Sequence, residues 1–299
     1  DGSARPVAQS GGVEAAQLEL DGGSLQPALS DAGALADQLV GFGLGGFDAA
    51  PLLAQEGRRT VTLPIGTGVV RVVVTEQPGC DADVLVLHDN ENTGVEAARA
   101  VIAERGGRLV DLQHTGTRNL AFALRNAQSE ESQVDSFAAD SFAVAPNRVF
   151  TDAGAGASLA SLSRDTPEAR RAVRRGAERL LALYGEPAVV VTAHNNTEGS
   201  YAATSYATDG PSAEDAAGLH LAPGADADDF YFVTNRALFD TLAEAGFNAV
   251  LQANTATDDG ALSVWAAQQG VPYVNVEAQH GHLAEQTRMM HALWDVLCE

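Results

Sequence analysis

The stretch "VLVLHDNENTGVEAA", Val84–Ala98, decides how this chain is read. Four aliphatic residues stop abruptly at His88, Asp89, Asn90 and Glu91, and a pattern of helical period begins directly afterwards. A short aliphatic run bounded by polar residues reads as a buried strand, and the spacing that follows reads as an amphipathic helix. The turn between them carries a histidine and, three residues on, a glutamate. Such a turn can aim an imidazole and a carboxylate at one cation.

The same rhythm continues outward from this stretch. Strands are expected at Val84–His88, Arg108–Gln113, Ala188–Ala193, Asp229–Thr234, Ala249–Ala253 and Tyr273–Glu277, with helices at Thr93–Arg105, Pro167–Tyr184, Asn235–Ala245, Ala261–Gln269 and His282–Leu297. Ahead of them, "RTVTLPIGTGVVRVVVTEQPG" places two β-branched runs around "IGTG", a hairpin signal. Alternating strands and helices imply an α/β fold, a mixed and mostly parallel sheet with helices on both faces. Residues 1–56, rich in Gly, Ala, Ser and Asp, read as a loosely packed N-terminal extension ahead of a domain spanning 57–299.

Bulk composition excludes several functions. All 18 basic residues are arginine against 40 acidic ones, and a net charge of −22 argues against nucleic acid as a partner. An acidic surface of this kind keeps a protein soluble in strong salt, which points to a halophile-type surface. No apolar run is long enough for a membrane span. Cys80 and Cys298 lack metal or redox spacing, and either one disulfide or two buried thiols fits them. The compartment is therefore open between secreted or periplasmic and cytoplasmic.

In open α/β sheets, functional groups gather at the carboxyl ends of the strands. His88, His194 in "VVVTAHNNTEGSY" and Glu277 in "VPYVNVEAQ" all stand at expected strand ends. A catalytic zinc takes three protein ligands and leaves a position open, so His88, Glu91 and His194 form a candidate set for one Zn2+ per chain. Glu277 is then the candidate base that takes a proton from water and returns it to a leaving amine.

In order along the chain, HxxE, the Asn-Arg pair of "APNRVF", a lone strand-end His and a late strand-end Glu resemble the zinc carboxypeptidase superfamily. "HDNENTGVEAA" followed by "NRVF" is more similar to its succinylglutamate desuccinylase and aspartoacylase branch than to the peptidases; that branch's motif usually reads HGNE, and here Asp89 replaces the glycine. The resemblance implies a carboxypeptidase-like (phosphorylase/hydrolase-like) fold and an amide hydrolase for a small-molecule or peptide substrate with a free carboxylate. It also implies that Asn147 and Arg148 hold that carboxylate, and that Arg118 or Arg125 polarises the scissile carbonyl. The peptidases' mobile tyrosine has no counterpart before Glu277, and Tyr201 or Tyr206 is the substitute candidate. A non-catalytic small-molecule or peptide binding protein on the same fold is the rival reading.

Blander features need no function. "GFGLGG", Gly41–Gly46, follows a helical patch rather than a strand and is not read as a dinucleotide site. "GAGAS", Gly154–Ser158, reads as a flexible loop near the site. No GxSxG elbow appears, which argues against a serine hydrolase. His280 and His282 make an HxH that the polarity of a helix start explains without a metal, and His114, His220 and His291 read as structural. The six arginines between Arg164 and Arg179 read as an ion-paired helix face.

Overall fold

A computed structural model describes residues 57–65, 68–124 and 141–298. The N-terminal extension 1–56, the Gly41–Gly46 motif and Arg125 lie outside the described residues. Eleven strands are described: β1 (Arg58–Ile65), β2 (Gly68–Gln77), β3 (Asp83–Val86), β4 (Gly107–Gln113), β5 (Leu120–Ala123), β6 (Ser141–Val144), β7 (Val190–Asn196), β8 (Ala216–His220), β9 (Phe230–Val233), β10 (Ala249–Gln252) and β11 (Tyr273–Gln279). Six helices accompany them: α1 (Asn92–Arg105), α2 (Asp152–Ser161), α3 (Pro167–Tyr184), α4 (Arg236–Glu244), α5 (Leu262–Gln269) and α6 (Leu283–Leu297).

Nine strands form one sheet in the order β1-β2-β4-β3-β7-β11-β9-β10-β8, and β5 pairs with β6 separately. The centre of the sheet, β4-β3-β7-β11, is parallel. Antiparallel pairs flank it, including the β1–β2 hairpin that "IGTG" signals. Mixed α/β architecture is thus as the alternation implies.

Period two of the strands sorts side chains onto two faces. Val84, Val86, Val191, Ala193, Val274 and Val276 pack with α1, α4 and α6 on one side. Leu85, Val190, Tyr273, Phe230 and Phe232 face the core built with α2, α3 and α5. Sequence-local signals start several helices: Thr166 accepts from Ala169 N (3.2 Å) ahead of Pro167 in α3, and Asn235 accepts from Leu238 N (3.1 Å) ahead of α4. On α3, Arg170 pairs with Asp165 and Arg171 with Glu168, the ion-paired face that the arginine spacing suggests.

One expectation is overturned. "GAGAS" lies in helix α2, capped by Thr151, which accepts from Gly154 N at 3.1 Å. Its glycines serve close packing: a Cβ on Gly154 would come within 2.0 Å of the backbone of Gly260. Low helix propensity there is outweighed by tertiary contact.

Cys80 and Cys298 are joined as a disulfide, Cα atoms 5.3 Å apart, tying the end of α6 to the loop before β3. It closes a loop with a sequence separation of 218 residues. Replacing both cysteines by serine is expected to cost about 2–4 kcal/mol of stability. Thermal melts of the double variant, and of the native chain with and without reductant, check this; an unchanged Tm in both would refute it. Among the described residues, no helix is long and apolar enough to cross a membrane.

Candidate metal centre

The site forms near the carboxyl ends of the parallel strands β3, β7 and β11. Strands β7 and β11 each run two residues beyond His194 and Glu277, so these lie within their strands rather than at the expected last position. Glu277 stands directly opposite His194 in the β7–β11 register, and the pleat turns both toward the same face. His88 follows β3, and the chain turns immediately, Glu91 N donating to His88 O at 3.1 Å. Glu91 occupies the N-cap of α1 yet makes no capping bond. A residue in that place ordinarily turns back on its own helix. Here the carboxylate is directed into the site instead.

Ligand atoms of His88, Glu91 and His194 all lie within 4.8 Å of one another, and all three residues are buried. Glu91 accepts from His194 Nδ1 through Oε2 (2.8 Å) and from Arg118 Nη1 through Oε1 (2.6 Å). His88 Nδ1 lies 2.7 Å from the backbone carbonyl of Arg118, an acceptor, so this nitrogen carries the proton. The lone pair is then on Nε2, which is buried without any hydrogen-bond partner. A ring N–H held by a carbonyl, with the other nitrogen bare, is the arrangement of a metal-ligating histidine.

Charge favours the same use. Burial pushes the His88 imidazole down to about 4, so it is neutral at ordinary pH. For His194, burial acts downward, but the Glu91 carboxylate and its hydrogen bond overrule it and raise the imidazole above its ordinary value. Burial acts upward on Glu91, and the positive charge of His194, with lesser help from His88 and Arg118, holds it below the ordinary carboxylate range. The two groups share a proton through their hydrogen bond, and a divalent cation would take its place. Two nitrogens and one carboxylate oxygen are a zinc-type donor set, and the residues present fit that ion.

Glu277 is buried, and desolvation pushes its carboxyl up to about 7, with Glu91 adding to the effect and His194 opposing it. Asn275 Nδ2 donates to Glu277 Oε2 at 2.9 Å, Thr192 Oγ1 donates to Asn275 Oδ1 at 3.1 Å, and Thr192 Oγ1 lies 2.7 Å from Tyr273 Oη. The signal for this ladder in the sequence is the alternation of "YVNVE", in which every second residue is polar within an otherwise aliphatic strand; the expected strand end singles out only Glu277 among them. Beneath it, Gln286 of α6 donates to the carbonyls of His194 and Val276 and accepts from Asn195 Nδ2. Nothing in the sequence pattern singles out that glutamine, which sits in the apolar stripe of its helix.

A cavity of about 890 Å³ opens in front of these groups. Glu91, His194 and Glu277 line it, as do Arg118, Asn147, Arg148, Tyr201 and Tyr206, while the fully buried His88 does not. Asn147 and Arg148 lie on a single 3-10 turn, Pro146–Arg148. Arg148 is ion-paired with Asp259, and Asn147 Oδ1 is buried without a partner. The hydroxyls of Tyr201 and Tyr206 lie 2.6 Å apart, and the rings pack against Phe230. His280 and His282 do not converge: His280 faces the cavity, and His282 Nδ1 pairs with Asp229 Oδ2 at 2.9 Å. Asp226, Asp229 and His282 also bring three ligand atoms within 4.8 Å, but Asp229 is already engaged by Gln279 N and His282.

No family model and no curated protein matches this chain. Among solved structures, it is similar to an aspartoacylase family protein from Mesorhizobium loti, at 16% identity over 84% of this chain and 71% of that one, with a TM-score of 0.38. A succinylglutamate desuccinylase from a Silicibacter species overlaps at 13% identity, 83% and 70% coverage and a TM-score of 0.40. Murein-tripeptide amidase MpaA from Escherichia coli O157 overlaps at 13% identity, 77% and 87% coverage and a TM-score of 0.35.

Proposed function

We propose that this protein is a zinc-dependent hydrolase that cleaves an amide bond next to a free carboxylate, as an N-acyl amino acid deacylase or a carboxypeptidase does. The observation that carries the reading is the bare, buried Nε2 of His88 within reach of Glu91 and His194, with Glu277 beside His194 in strand register. Zinc, when bound by these three residues, would polarise the scissile carbonyl and make a water acidic enough to attack at neutral pH.

The chain's own groups do the rest. Asn147 and Arg148 orient the substrate carboxylate; a guanidinium has five donors, so the pair with Asp259 leaves capacity for a second anion. Arg118, beside Glu91, supplies a fixed positive charge for the oxygen that becomes negative as water adds to the carbonyl. Glu277 removes the proton from the attacking water and delivers it to the departing nitrogen as the C–N bond breaks. Its raised affinity for a proton suits both halves of that exchange.

The test is amine release from N-acyl amino acids and short peptides, each paired with its carboxamide twin. The zinc-loaded protein is expected to turn over the free acids and to lose roughly 10- to 100-fold in kcat/KM on the carboxamides, the worth of a charge-assisted hydrogen-bond pair. Arg148→Ala is expected to reproduce that loss on the acids, mainly through KM, and to leave the carboxamides unaffected. Tight binding of free acids without amine release would favour a binding protein and overturn the hydrolase.

A further inference from the structure

The loop His114–Asn119, between β4 and β5, carries Arg118, and it is an exposed run of bends. Among the described residues, no backbone–backbone hydrogen bond holds it. It is held instead by the turn that follows β3. Asp89 Oδ2 accepts from both His114 N and Gly116 N, each at 2.6 Å. His88 Nδ1 donates to the Arg118 carbonyl, and Glu91 accepts from the Arg118 guanidinium. Three of the four residues His88–Glu91 thus clasp one loop, and only Asp89 binds it without also belonging to the candidate metal set. Gly116 adopts φ +69°, a conformation that L side chains rarely adopt, which fits a tight bend around a single acceptor oxygen.

We infer that Asp89 is a positioning residue: by gathering two backbone N–H groups of the loop onto one carboxylate oxygen, it sets the Arg118 carbonyl that selects the His88 tautomer and the Arg118 guanidinium that faces the cavity. A carboxylate suits the task, since charge-assisted bonds to backbone N–H groups are short and strong. Without it the loop keeps its own side-chain bonds, Thr115 to Thr117 and Thr117 to the Asn119 carbonyl. Of the bonds that tie it to the turn after β3, only the links to His88 and Glu91 remain, and both of its functional ends lose definition at once. The inference rests on the zinc-hydrolase reading for its effect on catalysis, but the clasp itself is a property of the metal-free chain.

The experiment compares wild type, Asp89→Ala and Asp89→Asn. In metal-free protein, amide hydrogen exchange at residues 114–118 is expected to speed up in Asp89→Ala and to be largely restored in Asp89→Asn, which keeps one acceptor oxygen. Strand β7 should stay protected in all three. Zinc affinity is expected to fall roughly 10- to 100-fold in Asp89→Ala, the usual effect of losing a group that orients a ligand. In a cycle with Arg118→Ala, the kcat loss from Asp89→Ala should largely vanish once Arg118 is gone, because neighbours acting through one another are not additive. Unchanged exchange and unchanged zinc affinity in Asp89→Ala would overturn the proposal, as would full additivity with Arg118→Ala. A wild type that takes up no zinc, yet shows the exchange difference, would instead refute the metal site and leave the clasp standing.

Discussion

Glu277→Gln is expected to lower kcat by roughly 10²- to 10⁴-fold, the range that a positioned general acid–base contributes, while leaving zinc bound. The amide has the same shape, so it keeps its place opposite His194 and its contact with Asn275, but it takes up no proton from water. KM should move little, since the proposed holders of the substrate carboxylate are Arg148 and Asn147 rather than Glu277. Steady-state kinetics alongside metal analysis check this. A variant that retains activity within a factor of a few would remove Glu277 from the mechanism.

The same substitution is expected to stabilise the metal-free protein. Burial raises the Glu277 carboxyl from an ordinary carboxylate value of 4.5 to about 7, so the folded chain keeps a proton there that the unfolded chain gives up. The contribution is fully present below the unfolded value and is lost as pH rises through about 7. A glutamine has no such loss. Metal-free Glu277→Gln should match wild type near pH 4.5 and exceed it above pH 7 by about 1–3 kcal/mol. An enzyme that gains stability when its base is neutralised holds that base in a costly setting, which fits a catalytic rather than a structural carboxylate.

Loss of either candidate histidine ligand is expected to abolish zinc binding. Elemental mass spectrometry on folded protein should find about one zinc per chain in wild type and close to none in His88→Ala or His194→Ala, since two protein donors do not make the three that a catalytic zinc requires. The two variants should differ without metal. His194→Ala strips the buried Glu91 of its buried partner, leaving the more exposed Arg118, and is expected to cost about 3–5 kcal/mol, the penalty for breaking a buried pair. His88→Ala removes a neutral ring and leaves the Arg118 carbonyl without its donor, a smaller penalty. Should His194→Ala fail to fold, His194→Gln keeps the contact to Glu91 and still disrupts the donor set. A folded wild type that takes up no zinc, or variants that retain it in full, would sink the metal centre.

The candidate residues were legible because each stands at a discontinuity. His88, His194 and Glu277 end aliphatic runs, and a polar residue at the end of a strand otherwise buried among aliphatics is visible without coordinates. Asp89 was visible only as a departure from a pattern; its grip on the backbone of His114 and Gly116, residues 25 and 27 positions away, was not. Helix α2 stayed hidden because alanine and glycine alternate without an apolar period, and β5, β6 and β8 were missed as runs of four or five residues, too short to show one. Arg148 was recognised by type and order, whereas its pairing with Asp259 joins residues 111 positions apart.

By itself, the sequence determined the order of the longer strands and helices, the mixed α/β class, the acidic composition and the types of residue available for chemistry. Those are local properties, written in periodicity, composition and the places where a period breaks. Only the tertiary structure decided which groups meet: the register that sets Glu277 against His194, the disulfide between Cys80 and Cys298, and the carbonyl that leaves His88 Nε2 bare. Contacts of that kind depend on strand order and loop path, which follow from burying two faces of one sheet at the same time, a condition that no short segment can express.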